Sequence, residues 1–202
     1  MSDARDGATH HALEDIAILR SLPNMKILSV CDASETRWAT EYAAKCDGPC
    51  YIRLSRDVMP DLYPEGHTFT FGKAETVREG TDATVIATGL MVHNALAAAE
   101  ALSREGISVQ VLDMHTIKPI DTIAVLRAAD MGPVITAEEH NIIGGLGSAV
   151  AEIMASAACS HSLTRVGLQD TFSETGDYAS LQKKYGIDPD SIADAVKRSL
   201  KK

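Results

Sequence analysis

The stretch from Lys26 to Leu54 constrains the fold more than any other. Lys26–Val30 (KILSV) is short, rich in branched residues and bounded by Asn24 and Asp32, the signature of a strand. Ser34 is placed to cap a helix over Glu35–Lys45, Asp47-Gly48-Pro49 stops that helix, and Cys50–Leu54 (CYIRL) reads as a second strand. Strand, helix and strand joined by short links make a βαβ unit, so the two strands run parallel. Parallel strands need cover on both faces. The only other element upstream is a helix over Ala12–Leu22, with Leu13, Ile16 and Ala17 on one stripe and Pro23-Asn24 as its stop. Two strands and two helices in about 55 residues cannot bury such a sheet. Residues 1–56 therefore read as an incomplete parallel βαβ remnant of a larger α/β domain.

Residues 57–66 carry Pro60 and Pro64 without periodicity and read as a linker. From 67 to 202 strands and helices alternate. Short strands are expected at Thr68–Phe71 and Ala74–Arg78, and further strands at Ala83–Ala87, Ser108–Asp113, Val134–Ala137 and Thr164–Gly167. Helices are expected at Val92–Arg104, Asp121–Ala129, Gly147–Ala158, Tyr178–Tyr185 and Pro189–Leu200, the last with Asp188 as cap. That alternation predicts a doubly wound, mostly parallel α/β domain.

A formal net charge of −9 argues against nucleic acid or an anionic membrane surface as partner. No apolar run approaches the roughly 18 residues that span a bilayer, and Met1–Arg5 has no signal-peptide character, so a cytoplasmic chain is expected. Cys46-x-x-x-Cys50 lacks zinc or thioredoxin-like spacing, and Cys31 and Cys159 stand apart from it. All four read as reduced packing residues.

Chemistry has three candidate places. Asp6-Gly7-Ala8-Thr9-His10-His11 gathers a carboxylate, a hydroxyl and two imidazoles at the mouth of a helix, whose positive end lowers the pKa of a nearby His. A neutral imidazole there can take a proton from a substrate hydroxyl; the alternative is a polar turn that caps the helix. Arg53 and Arg56 flank the end of the second strand, where an open parallel sheet faces its ligand crevice. Each either grips phosphate through a guanidinium fork or closes a salt bridge. In the third place, Asp113 and His115 follow one strand, Glu138, Glu139 and His140 follow another, and Gly144-Gly145-Leu146-Gly147-Ser148 opens a helix. That loop is either an anion cradle or a site of close packing, because its spacing fits neither a Walker loop nor G-x-G-x-x-G. No ligand pair supports a metal site.

Taken together, Asp6-Gly7-Ala8-Thr9-His10-His11-Ala12-Leu13-Glu14-Asp15-Ile16-Ala17 with Arg20-Ser21-Leu22-Pro23-Asn24 resembles the second half of the pyrimidine-binding domain of transketolases. Leu54-Ser55-Arg56 with Pro60 is similar to their phosphate-binding strand end. Thr116-Ile117-Lys118-Pro119-Ile120-Asp121, and Glu138-Glu139-His140 with Gly144-Gly145-Leu146-Gly147, resemble their C-terminal domain. The resemblance implies a C-terminal portion of an enzyme that moves a two-carbon ketol unit between sugar phosphates with thiamine diphosphate and Mg. It implies that His10 relays protons for substrate hydroxyls, Asp6 binds an acceptor hydroxyl and Arg56 binds the substrate phosphate. Asp57 stands where the family often carries Gln. The family's ring-activating glutamate and its diphosphate-binding domain precede the position of Asp6, so no cofactor-binding residue is assigned here. The isolated chain is expected to be inactive without a missing N-terminal part or subunit, and to form a homo-oligomer through its C-terminal domain. The rival readings are a non-catalytic dimerisation or anion-binding module, and part of a related thiamine enzyme such as deoxyxylulose-phosphate synthase.

Overall fold

The computed structural model describes residues 1–201 and divides their strands between two sheets. The expected first helix is largely replaced by other structure: a 3-10 turn at Ala8–His10, then a short helix α1 (Asp15–Arg20). The carbonyls that would have continued a helix are used elsewhere. Ala12 O accepts from Arg53 Nη2 at 2.7 Å, and Leu13 O accepts from Asn141 N at 2.9 Å. Strand β1 (Lys26–Ser29), helix α2 (Ala33–Lys45) and strand β2 (Cys50–Arg53) form the expected βαβ unit, with Lys26 opposite Cys50 in a parallel pair. The cap of α2 is Asp32 and not Ser34. Its Oδ1 accepts from Glu35 N at 2.8 Å, and its Oδ2 accepts from Leu62 N at 3.0 Å and Tyr63 N at 2.8 Å. One carboxylate thus starts a helix and pins the 57–66 segment.

No strand forms at Thr68–Phe71. Phe69 packs against Trp38, Tyr63 and His115, and Phe71 stacks on Tyr42 with ring centroids 4.3 Å apart, so side chains rather than a ladder hold this segment.

The larger sheet holds β3 (Glu75–Arg78), β4 (Ala83–Ala87) and β5 (Val109–Asp113), with helix α3 (Met91–Ser103) between β4 and β5. A short strand β6 (Thr116–Lys118) leaves this sheet and pairs antiparallel with β1, which completes a smaller sheet of order β2-β1-β6. The chain then runs through α4 (Thr122–Met131), β7 (Val134–Asn141), α5 (Leu146–Ser156), β8 (Leu163–Leu168), α6 (Tyr178–Lys184) and α7 (Pro189–Leu200). The order β3-β5-β4-β7-β8 is parallel except for β3, which makes it the doubly wound α/β sheet expected.

Alternation along β4 explains the layers. Ala83, Val85 and Ala87 join a core with Ala95, Ala99 and Leu102 of α3 and Ile192 and Val196 of α7. Ile86 points the other way, into a core with Val125 and Ala128 of α4 and Leu146 and Val150 of α5. No helix of the described residues is long and apolar enough to cross a membrane.

Chain direction switches at the carboxyl end of β4, the place where open α/β sheets commonly bind ligands. Here that crevice is filled by the end of β1. Thr88 Oγ1 lies 3.1 Å from Ser29 O and 3.0 Å from Met114 O, and His93 Nε2 lies 2.9 Å from Cys31 O. Replacing Asp32 by Ala strands three backbone N–H groups and removes the α2 cap. The expected loss is about 3 kcal/mol of unfolding free energy, read by urea denaturation.

Candidate functional site

Of the three residues singled out by the resemblance, Arg56 and His10 line one hollow at the carboxyl end of β2, and Asp6 joins them only through its contact with Arg56. Arg56 lies three residues beyond that strand and is largely exposed. Its Nη1 donates to Asp3 at 2.8 and 2.9 Å and to Asp6 at 3.2 Å. These two carboxylates hold the guanidinium pKa above its ordinary value, Asp3 contributing most. Among the described residues every polar contact of this guanidinium runs through Nη1, so Nη2 and Nε remain for an incoming anion. Arg56 and His10 line one hollow of about 180 Å³ together with Asp3, Ser29, Ser55 and Tyr51. Asp6 lies on the far side of Arg56 and faces an adjoining hollow of about 470 Å³ with Asp57 and Tyr178.

The two imidazoles divide in character. His10 ends the 3-10 turn and is exposed, its Nδ1 3.0 Å from Thr9 Oγ1. It does not sit at the mouth of α1, which begins five residues later at Asp15. His11 is a packing residue, bonded to Ser173 Oγ and, at 2.8 Å, to Asp3 O.

The two arginines divide as well. Arg53 is a brace: its Nε donates to Asp15 Oδ2 at 3.0 Å, and its Nη2 to Ala12 O at 2.7 Å and Glu139 O at 2.8 Å. Tyr51 adds a hydroxyl to Asp15 Oδ2 at 2.7 Å. Of the pair, Arg56 alone is free enough to meet a ligand.

Glu138, Glu139 and His140 do not follow β7 as expected but form its last turns of strand, all buried. Glu138 accepts from Leu146 N at 2.7 Å and Gly147 N at 2.8 Å, so its carboxylate occupies the N-terminus of α5. Burial pushes the Glu138 carboxyl up to about 7, against the opposing pull of those two N–H groups. A methyl group at Gly145 would overlap the Glu138 carboxylate, and one at Gly144 would overlap Ala17. The glycine-rich loop is therefore a place of close packing, and its helix end is already filled by an internal anion.

Burial alone would raise the Glu139 carboxyl, but the Met1 ammonium and Arg53 hold it below the ordinary carboxylate range. Ser2 N, at 2.9 Å, and the Tyr178 hydroxyl also donate to it. His140 accepts from Ala17 N at 3.3 Å through Nε2, and its Nδ1 lies 2.6 Å from Asn141 O. Burial lowers its pKa, which favours this neutral form.

Asp3 and Ser55 are the site residues that sequence reasoning passed over. Ser55 Oγ is buried without a hydrogen-bond partner, and Ser55 did stand within the strand-end motif. Asp3 had no local signal.

The arrangement can hold an anion at Arg56 and exchange hydrogen bonds or a proton at His10. It does not fit a whole thiamine diphosphate. The hollow falls short of the roughly 300 Å³ at which pockets enclose drug-sized ligands, and the helix end that might cradle a diphosphate is taken by Glu138. Removing the Arg53 brace leaves the partly buried Asp15, one oxygen of which already lacks a partner, without its cation. Arg53→Ala is expected to cost about 3–5 kcal/mol in chemical denaturation, whereas Arg56→Ala leaves the midpoint unchanged.

Residues 1–61 match the transketolase pyrimidine-binding domain, and residues 72–192 match the transketolase C-terminal domain. The chain is 42% identical over 199 residues to a putative transketolase C-terminal section of Methanocaldococcus jannaschii, covering 98% of this chain and 62% of that one. It is 44% identical over 192 residues to a 6-deoxy-6-sulfo-D-fructose transketolase subunit of a Clostridium species, covering 95% and 59%. Among solved structures, a split-gene transketolase described as an inactive beta4 tetramer superposes with a TM-score of 0.89 at 40% identity, covering 96% of this chain and 63% of that one. The chain thus spans about three fifths of the length of these relatives. Two adjoining domain matches in the family's order, and a shared fold at this level of identity, establish that the chain belongs to the transketolase family.

Proposed function

We propose that this chain is a C-terminal portion of a thiamine-diphosphate-dependent transketolase that works in the cytoplasm and transfers a two-carbon ketol unit between sugar phosphates. The observation that carries the reading is the meeting of Arg56 and His10 on one hollow at the end of β2. Arg56 binds the substrate phosphate through the guanidinium edge that Asp3 and Asp6 leave free. Those carboxylates hold the side chain in place. His10 hydrogen-bonds substrate hydroxyls and accepts a proton from one of them. Asp6, on the opposite side of Arg56, accepts a hydrogen bond from a hydroxyl of the acceptor sugar. Thiamine diphosphate supplies the electron sink for the C–C bond when bound. Its seat, with Mg, is assigned to a complementary transketolase portion, which fits a hollow too small for the cofactor. Two of the named relatives are a subunit and a C-terminal section, which supports such a division.

The test mixes the chain with an N-terminal transketolase subunit, thiamine diphosphate and Mg, and follows ketol transfer from a ketose phosphate. Activity is expected only in the mixture, and calorimetry of the chain alone with the cofactor should show no saturable binding. Arg56→Ala is expected to raise KM for phosphorylated acceptors about 10- to 100-fold and to spare unphosphorylated ones. An equal loss for both would remove its role.

A second reading, an oligomerising module without catalysis of its own, draws on the relative described as an inactive tetramer. It requires the mixture to show no ketol transfer while the chain self-associates in sedimentation.

A further inference from the structure

The seam between the two sheets holds a group of acids that ketol transfer does not use. Cys31 follows β1, Glu35 stands in the first turn of α2 and Asp113 ends β5. All three are 0% exposed, and one polar atom of each lies within 4.8 Å of the others. Glu35 Oε2 accepts from Cys31 N at 2.6 Å. Asp113 Oδ2 accepts from the Cys31 thiol at 3.3 Å and from the Tyr63 hydroxyl at 2.8 Å. Glu35 Oε1 and Asp113 Oδ1 remain, both buried and without a hydrogen-bond partner in this arrangement.

The surroundings offer no compensating charge. Asp32 adds a negative neighbour from the start of α2, the Cys31 thiol comes from β1, and the Tyr63 phenol comes from the 57–66 segment with the His67 ring stacked on it. From α3, His93 reaches only the Cys31 carbonyl. No lysine or arginine bonds either carboxyl among the described residues. Two adjacent carboxylates cannot both stay ionised in such a place.

We propose that Glu35 and Asp113 share one proton, and that this proton latches α2 and β1 onto the carboxyl end of β5. Burial, and then the opposing carboxyl, push Glu35 well above its ordinary range, and burial raises Asp113 too. In the unfolded chain both ionise near pH 4. The folded state therefore binds a proton that the unfolded state has released, and the latch is fully effective below about pH 4. Its contribution falls as pH rises through the raised titration of the pair. Once the proton leaves, Asp113 and Glu35 repel across the seam between α2 and β5.

The test compares wild type with Glu35→Gln, which keeps an acceptor for Cys31 N–H and an N–H donor for Asp113 but carries no proton to lose. From pH 5 to pH 8 the melting temperature of wild type should fall relative to the variant by at least about 3 °C. At pH 7 the infrared stretch of a protonated carboxyl should lose the intensity of one group in Glu35→Gln. Glu139→Gln serves as control, because that buried carboxyl is held below the ordinary range and carries no proton at pH 7, and it should leave that component in place. If Glu35→Gln does not fold, Asp113→Asn should flatten the pH dependence in the same way. Parallel melting profiles, or a carboxyl band unchanged by Glu35→Gln, overturn the proposal. So does binding of one equivalent of zinc that Cys31→Ser abolishes, because a cation would then stand in place of the proton.

Discussion

The three consecutive side chains Glu138, Glu139 and His140 are the constraint on which the rest of the structure depends. Each leaves one buried strand and takes hold of a different part of the chain. Glu138 receives the start of α5, Glu139 receives residues 1–2 and the Tyr178 hydroxyl of α6, and His140 receives the backbone of α1. Buried carboxylates are costly unless every oxygen finds a donor. The positions of these segments are therefore interdependent: moving one of them leaves a buried polar group without its partner. The candidate site inherits its rigidity from this arrangement, because Arg53 ties Glu139 O to the segment that carries His10.

The contrast between Arg53 and Arg56 shows how a site can be exposed and still well placed. Arg53 uses its guanidinium on main-chain carbonyls and Asp15 inside the structure, so it fixes geometry. Three residues later Arg56 emerges at the surface, where Asp3 and Asp6 set its direction without enclosing it. An anion approaching this point would meet a cation already oriented, so that ordering the side chain adds little to the cost of binding.

Local signals were legible in the chain at most places where the cause was local, the cap of α2 at Asp32 being an exception. Helix α7 starts at Pro189 with Asp188 bonded to Ser191 N, as its cap and N1 proline imply. The βαβ unit and the doubly wound order followed from alternation and short links. What could not be read had partners far away in sequence. Strand β6 exists because β1 offers it an edge, and nothing in Thr116–Lys118 announces that partner. The end of β7 was hidden because Glu138–Asn141 are polar yet buried, the reverse of what periodicity assumes. The first helix was overstated because Arg53 and Asn141 claim the carbonyls it needed. At the site, the motif around Arg56 was legible, but the separation of Arg53 from Arg56 and of His10 from His11 required knowing which side chain turns inward.

Strand β6 belongs by chain position to the larger sheet's half and by hydrogen bonds to the smaller one. The residues at 57–66, although they look like a tether between separable pieces, therefore join two parts that have already exchanged a strand. A cut there would leave the first piece with a raw edge along β1 and the second with a dangling three-residue ribbon. The molecule is in this sense stitched, and its melting should register as one cooperative event.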